Sequence, residues 1–157
     1  RWPYCAELAR RLAARHRIVV VGGPDDAALA REIIAAAPER TIDATGRLSL
    51  LASAELIRRA HVLVTNDSLP QHLASAMGTA TVTIFGPTVP AFGFGPLAPR
   101  SVTLGVSSLT CRPCHHHGPP SCPLGHWRCM RDLDGRDIEA AVDSIMAVDA
   151  DSSPRSH

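Results

Sequence analysis

Val62-Leu63-Val64-Thr65-Asn66-Asp67-Ser68-Leu69-Pro70-Gln71-His72 is the stretch that decides the fold. An apolar run passes through a short polar turn and straight into a helix start. Ser68 and Gln71 have the S-x-x-Q spacing of a capping box, and Pro70 suits the first turn of a helix. A helix that begins off the carboxyl end of a buried strand presents its unsatisfied N–H groups to the crevice in which open α/β sheets bind ligands. That geometry suits a phosphate.

The same alternation extends in both directions. Upstream, residues 4–15 read as a helix with Leu8, Leu12 and Ala13 on one face. Ile18-Val19-Val20-Val21 is a continuous β-branched run, as expected of a strand covered on both faces. Gly22-Gly23-Pro24 ends it, and Asp25 or Asp26 can cap a helix reaching about Ala37. Thr41-Ile42-Asp43 is a short strand, and residues 49–60 carry Leu50, Leu51, Ala54 and Ile57 at helical spacing. Downstream come a strand over 61–65, a helix over 70–77 with Gly78 as its stop, and a strand over 81–85 ending at Gly86-Pro87-Thr88. Residues 87–100 read as a long loop and 101–106 as a last strand. Residues 111–129 are a Cys/His/Pro-rich insert near the C-terminus. Residues 135–148 form a closing helix with Ile138, Ala141, Val142 and Ile145 inward. Repeated β-α units predict an α/β fold, a Rossmann-like doubly wound parallel sheet with right-handed crossovers. One domain over 1–148 is expected, followed by a polar tail, 149–157, expected to be disordered.

The totals bound the function. The chain has 157 residues, 45% of them hydrophobic and 20% charged, with a net charge of +1. No large basic field points to nucleic acid or to a membrane surface. All the basic residues are Arg, which excludes a Lys-dependent mechanism within this chain. No apolar run has the length of a transmembrane helix, and no stretch reads as a signal peptide. The chain opens on Arg1-Trp2-Pro3 and reads as a fragment.

Three strand-end turns carry the first candidate site: Gly22-Gly23, Asp67-Ser68 and Gly86-Pro87-Thr88. On one sheet edge they would converge. Glycine lets backbone N–H groups approach a ligand, and Ser68 and Thr88 offer hydroxyls to phosphate. A carboxylate at Asp67 repels phosphate, and suits sugar hydroxyls or the loop's own N–H groups better. His72, one turn into the helix, could reach a phosphate or hydroxyl. Ordinary structure explains the same residues: Gly ends strands, Ser68 caps a helix, Asp67 forms a turn. Neither a dinucleotide G-x-G-x-x-G nor a P-loop is present.

The second candidate is Cys111-x2-Cys114-x7-Cys122-x6-Cys129, with His115, His116, His117 and His126 interspersed. Four thiols in so short a span, the first two as C-x-x-C, suit a tetrahedral zinc or iron site of structural type. Pro113, Pro119, Pro120 and Pro123 stiffen the loop. Two disulfides or free structural thiols are the alternatives, and the His run could bind nickel or zinc adventitiously. Cys5 reads as a small buried residue, Trp2 as a packing residue, and Arg58 and Arg59 as ordinary charges at a helix C-terminus.

Trp2-Pro3, Val20-Val21-Gly22-Gly23-Pro24-Asp25, Thr45-Gly46-Arg47-Leu48-Ser49-Leu50, Thr65-Asn66-Asp67-Ser68-x-Pro70-x-His72-Leu73-Ala74 and Phe85-Gly86-Pro87-Thr88-x-Pro90 together resemble glycosyltransferase family 9. That is the ADP-heptose:lipopolysaccharide heptosyltransferase family. The resemblance runs from Trp2 to about Val148 and covers only the C-terminal half of such an enzyme. It implies one half of a GT-B glycosyltransferase, the Rossmann-like domain that binds the nucleotide diphosphate-sugar donor. It places Asp67, Ser68, Leu69 and His72 at the diphosphate and sugar, with Gly86, Pro87 and Thr88 beside them. Leu48 falls at the adenine, and Asp25 or Asp26, after Gly22-Gly23-Pro24, near the ribose.

The implied reaction transfers a heptose-type sugar to a lipopolysaccharide-type or other glycan acceptor, lipid-linked or free. It takes place in the cytoplasm, at most peripherally at the inner membrane. No cofactor is required for transfer, and a Cys-bound iron in one subgroup of the family supports a metal on the four-Cys loop without choosing it. Three departures stand out. Leu69 replaces the usual Gly, adding bulk and restricting positive φ where backbone should meet phosphate. A basic residue expected just before Arg1 is absent, as is the N-terminal acceptor domain with its catalytic acidic residue. Alone, the chain is expected to bind donor weakly and to catalyse nothing. The alternative is an inactive stand-alone nucleotide-binding or metal-stabilised module from a truncated gene.

Overall fold

The computed structural model describes residues 1–152, with side chains to residue 148. The chain divides into two compact units. One is Tyr4–Glu55; the other joins Arg1–Pro3 to the chain from Leu56 onward.

The Tyr4–Glu55 unit holds α1 (Cys5–Leu12), β1 (Ile18–Val20), α2 (Ala27–Ala36), β2 (Thr41–Asp43) and the start of α3 (Leu50–Arg59). In α1 the i,i+4 pair Glu7–Arg11, 2.8 Å apart, lies on the outer face. Leu8, Ala9 and Leu12 are buried. The packing of α1 on α2 brings them to Ala30 and Ile33, the buried residues of α2. β1 and β2 pair in parallel, Ile18 opposite Thr41 and Val20 opposite Asp43. Val19 is 40% exposed and Ile42 55%, so this pair is not covered on both faces as its β-branched run suggested. Branching at Cβ favours the strand through χ1, and does not report what covers each face. Of the apolar positions expected along α3, Ala54 and Ile57 are buried while Leu50 and Leu51 are exposed.

The second unit holds β3 (Val62–Asn66), α4 (Leu69–Met77), β4 (Ala80–Ile84), β5 (Ser101–Leu104), α5 (Arg128–Arg131) and α6 (Gly135–Ser152). Its sheet is parallel with the order β3-β4-β5. Asn66 stands opposite Ile84, and Ile84 opposite Leu104. Every residue of β4 is buried, so both its faces are covered. α4 packs on β3 and β4, and α6 on all three strands. α6 does this through Ile138, Ala141, Val142 and Ile145, the i, i+3, i+4, i+7 stripe the sequence predicted. Its helix runs four residues past the expected end at 148; the rest of the expected tail, 153–157, lies outside the described residues. Gly78 ends α4 at φ +72, as its position required. Trp2 is buried, its indole N–H donating to the Leu133 carbonyl at 3.0 Å and its amide to Asn66 Oδ1 at 3.2 Å. No described helix is long and apolar enough to cross a membrane.

Two expectations change. The strands hydrogen-bond as a two-stranded and a three-stranded sheet, not as one. Repeated β-α-β units dictate parallel pairing of neighbours, but not that every ladder joins the next. The S-x-x-Q capping box does not form either. Ser68 starts α4 without a side-chain cap. Its hydroxyl donates to the Asn66 carbonyl, and the Gln71 amide donates instead to the Phe94 carbonyl. Gln71 is fully buried, so its side chain follows the core side of the helix.

Candidate functional site

Parallel pairing of β3 with β4 brings their C-terminal turns side by side. The Asp67 N–H donates to the Ile84 carbonyl at 3.0 Å, which holds the first turn against the end of β4. The Thr88 hydroxyl donates to Asp67 Oδ2 at 2.7 Å. Sequence reasoning gave that hydroxyl to a phosphate; it is spent on orienting the carboxylate. The N–H groups of Ser68, Leu69 and Thr88 take no partner among the described residues. Unsatisfied amides at a helix start carry the partial positive charge that anions seek.

These turns border a cavity of about 220 Å³. Asn66, Asp67 and Ser68 form one side, and Gly86, Pro87 and Thr88 another. Arg1, His117, Gly118 and Met130 complete it. Of these last four, the sequence singled out His117 alone, and for the Cys/His loop rather than for this site. Arg1 brings a cation to the cavity, the role the family pattern gave to a residue one position earlier. A Cβ at Gly86 would meet the Met130 thioether, 2.8 Å from Sδ, so glycine there leaves room for that side chain.

The side chains of two expected residues do not line this cavity. Leu69 is 58% exposed and lies in the helix, while Trp127 is the one described non-glycine with positive φ. The Leu69 side chain does not line the cavity, and its backbone is not in the positive-φ region that a glycine would favour. His72 is exposed and borders no part of the cavity. Gln71 takes the core side of α4, and a step of about 100° turns the next residue to solvent.

The remaining expected donor residues belong to the Tyr4–Glu55 unit, where the turn after β1 closes on itself. Asp26 Oδ2 accepts the Gly23 N–H at 2.9 Å. The Asp26 carboxylate therefore faces back onto the Pro24–Asp26 turn and makes no side-chain cap for α2. Gly22 leaves the space that this carboxylate fills. Asp25 is exposed. Leu48 precedes α3, whose first turn is capped by Ser49 Oγ accepting the Ala52 N–H at 3.2 Å. At the end of β2, the Thr45 N–H donated to Asp43 at 2.9 Å holds that carboxyl below the usual carboxylate range, aided by Arg47 and Arg31.

The Cys/His loop is attached to the Gly86–Thr88 turn by a residue that sequence reasoning passed over. Arg112 donates to the carbonyls of Gly86 and Val106 at 2.8 Å, Thr88 at 2.9 Å and Phe85 at 3.1 Å. A Cβ at Gly105 would collide with that guanidinium and with the Phe85 carbonyl. The Cys114 N–H donates to the Pro87 carbonyl at 3.0 Å. A lone Arg inside C-R-P-C carries no sequence signal for this role; its small neighbour Gly105 is the nearest hint. Of the His run, His116 meets Phe92 and His117 meets Phe94 in tilted ring contacts, with centroids 4.4 and 5.5 Å apart.

Cys111, Cys114, Cys122 and Cys129 border one cavity of about 170 Å³, together with Arg112 and His126. All are free thiols, so the two-disulfide alternative is not formed. Backbone amides of Trp127, Leu124, His126 and Gly125 lower the Cys122 thiol below its ordinary range, Trp127 most strongly. Burial raises Cys129, helped by the charges of Cys114 and Cys122. Among the described residues, no three His, Cys, Asp or Glu side chains converge closely enough to hold an ion as they stand. The donor set itself, four thiols on one cavity with amides facing one of them, suits a thiophilic ion.

Comparison with known proteins completes the picture. The family model of glycosyltransferase family 9 (heptosyltransferase) matches residues 1–124. Lipooligosaccharide heptosyltransferase 2 of Campylobacter jejuni is 31% identical over 142 residues, 85% of this chain and 42% of that protein. Lipopolysaccharide heptosyltransferase 1 of Pseudomonas aeruginosa is 35% identical over 115 residues, 72% of this chain and 32% of that protein. The chain thus spans about two-fifths or less of the length of these curated relatives. Among solved structures, E. coli ADP-heptose lps heptosyltransferase II superposes with a TM-score of 0.79 at 23% identity, over 96% of this chain and 43% of that one. The Veillonella parvula glycosyl transferase family 9 structure gives 0.76 at 24% identity, over 94% and 42%. At these identities the two structures show a shared fold.

Proposed function

The chain belongs to glycosyltransferase family 9, and from that premise we propose that it is the donor-binding half of a GT-B glycosyltransferase that transfers a heptose-type sugar. The observation that carries this reading is the cavity at the ends of β3 and β4, with unpaired amides at the start of α4 and at Thr88. A nucleoside diphosphate-sugar places its diphosphate there. The N–H groups of Ser68, Leu69 and Thr88 and the Arg1 cation take the phosphate oxygens. Asp67, held by Thr88, accepts sugar hydroxyls. As the sugar leaves, charge grows on the diphosphate, and prearranged dipoles stabilise that charge without reorganising. By the family pattern, a base on the other domain takes the acceptor proton. A lipopolysaccharide-type glycan, reached at the inner face of the membrane, is the acceptor. ADP is the nucleotide that the name of the E. coli structure suggests.

Calorimetry with ADP and with an ADP-sugar tests this. The folded protein should bind both, and Thr88→Val should weaken binding about tenfold by releasing Asp67 toward the phosphates. A folded protein that gives no heat at millimolar ADP overturns the reading. Equal affinity in the Thr88 variant removes the cavity from it.

A further inference from the structure

We propose that His117 is a further donor-contacting residue, and that the 112–118 strap, seated against Phe94, holds its imidazole at the phosphate end of the pocket. The inference rests on that pocket being the nucleoside diphosphate-sugar site, and adds to it a residue from outside the strand-end turns. His117 borders the cavity together with Arg1, Asp67 and Thr88. All of them belong to one compact unit.

The charge at the cavity leaves a place for it. A bound diphosphate brings more negative charge than one cation can balance. Arg1 is the one arginine lining the cavity, the chain contains no Lys, and Asp67 adds a carboxylate of the same sign as the ligand. His117 is the other lining side chain that can carry positive charge, and in either protonation state it can donate to a phosphate oxygen. The Thr88 hydroxyl is spent on Asp67, so the imidazole offers a donor that this hydroxyl does not. The His117 backbone N–H donates to His115 Nδ1 at 3.0 Å, while its ring nitrogens take no hydrogen bond among the described residues.

The ring is held from two sides. It meets Phe94 at a centroid distance of 5.5 Å and a tilt of 55°, within the range in which aromatic rings attract. Phe94 is itself fixed from the core. The fully buried Gln71 donates its amide to the Phe94 carbonyl, and the Leu97 N–H donates to Ser75 Oγ at 3.0 Å, so residues 94–97 are tied along α4. On the other side the strap is tied to the turn after β4. Arg112 and the Cys114 N–H hold the carbonyls of that turn. Gly118, at φ +79, lies against Pro87, where a Cβ would sit 3.7 Å from its Cγ. The end of the strap therefore stands beside the turn that offers the open Thr88 amide, and the phosphate that takes this amide is the one His117 reaches. A ring seated before the ligand arrives loses little freedom on binding it. His116 makes the same kind of ring contact, with Phe92, but borders no part of the cavity.

Calorimetry with ADP on the purified chain tests the assignment. His117→Ala should weaken ADP binding about tenfold, through loss of a hydrogen bond to a charged group. Its melting temperature should not change, because the side chain is exposed. His117→Gln keeps an N–H donor and should recover part of the affinity, while His116→Ala should bind as wild type does. Phe94→Leu should cost about threefold in the wild type and nothing further on top of His117→Ala, since a seat matters only while its occupant is present. With histidine nitrogens isotopically labelled, the ring signals absent from His117→Gln should shift when ADP is added to the wild type. An ADP affinity that survives His117→Ala, or ring signals that stay in place, overturns the assignment. So does an equal loss in His116→Ala, which would make the effect one of strap seating. Additive losses for Phe94→Leu and His117→Ala overturn Phe94 as the seat. A wild-type protein that binds no ADP overturns the donor reading and this assignment with it, whereas each of the other outcomes leaves the donor reading standing.

Discussion

The turn after β1 and the turn after β4 are made of the same parts, a β-branched strand followed by glycine and proline. At 22–26 a side chain of the turn serves the turn itself: Asp26 takes the Gly23 N–H, while the Gly22 carbonyl accepts the N–H of Gly46 from the turn after β2. At 85–88 the carbonyls are held by Arg112 and Cys114 of the Cys/His loop and no side chain of the turn caps its amides, so the Thr88 N–H is left without a partner among the described residues. A turn that satisfies itself offers a ligand little. Pinned from behind through its carbonyls, the second turn keeps its amides for the other side. Binding capacity at a strand end thus depends on where the turn's own hydrogen bonds go.

If that contrast is right, the largest effect belongs to Arg112. Arg112→Ala removes one charged donor from four carbonyls and leaves them to water or to nothing. At roughly 1 kcal/mol each, discounted for partial exposure, the loss should be about 3 kcal/mol in urea denaturation, with an unchanged slope. Arg112→Lys should recover little of it, because one ammonium cannot reach four carbonyls. A cost below about 1 kcal/mol would make this an ordinary surface arginine.

The glycines sharpen the comparison at smaller cost. A Cβ at Gly22 would lie 2.9 Å from Asp26 Cβ, which is fixed to the backbone, so Gly22→Ala must break the local Asp26–Gly23 bond. About 1–2 kcal/mol should be lost. A Cβ at Gly86 meets the far end of Met130 instead. Met130 can swing aside, so Gly86→Ala should cost about 1 kcal/mol or less. The displaced thioether then crowds the cavity, and ADP affinity should fall more than stability does. Thermal denaturation of both variants, with calorimetry for ADP, separates the two outcomes. Equal effects on binding would place the two turns in one class.

How much of this was legible follows from the range of the interactions. Helices α4 and α6, the Gly78 stop and parallel pairing were readable because period, stop residue and unit order are local signals. The Asp67–Ser68 and Gly86–Thr88 turns were also marked, since a glycine or helix start after a strand is visible in sequence. What they do with their hydrogen bonds was not. Gln71 reads as a capping residue until the core takes it, and Thr88 reads as a phosphate donor until Asp67 takes it. Arg112, Met130 and His117 come from residues far along the chain, where neither period nor motif links them to β4. The division into two sheets was hidden for the same reason, because ladder continuity is a tertiary property.

The smallest effect tests the locally satisfied class at a second turn, the one after β2. Asp43 accepts the Thr45 N–H at 2.9 Å, two residues on, and this bond is the main cause of its lowered pKa. A folded-state pKa below the unfolded one means the charged form is favoured by folding. The contribution is therefore present above the ordinary carboxylate pKa of about 3.9, and is lost as pH falls through the lower folded value. Asp43→Asn keeps an oxygen for the Thr45 amide and removes the charge. Its melting temperature should lie slightly below wild type at neutral pH, and the two curves should converge on acidification. Because Asp43 is partly exposed, the gap should be the smallest of the series and should shrink with salt. ADP binding should not change in this variant, since the Asp43–Thr45 bond lies within the turn. A clear loss of ADP affinity without a change in fold would show that local satisfaction does not keep a turn out of ligand binding, and would break the contrast at its weaker end.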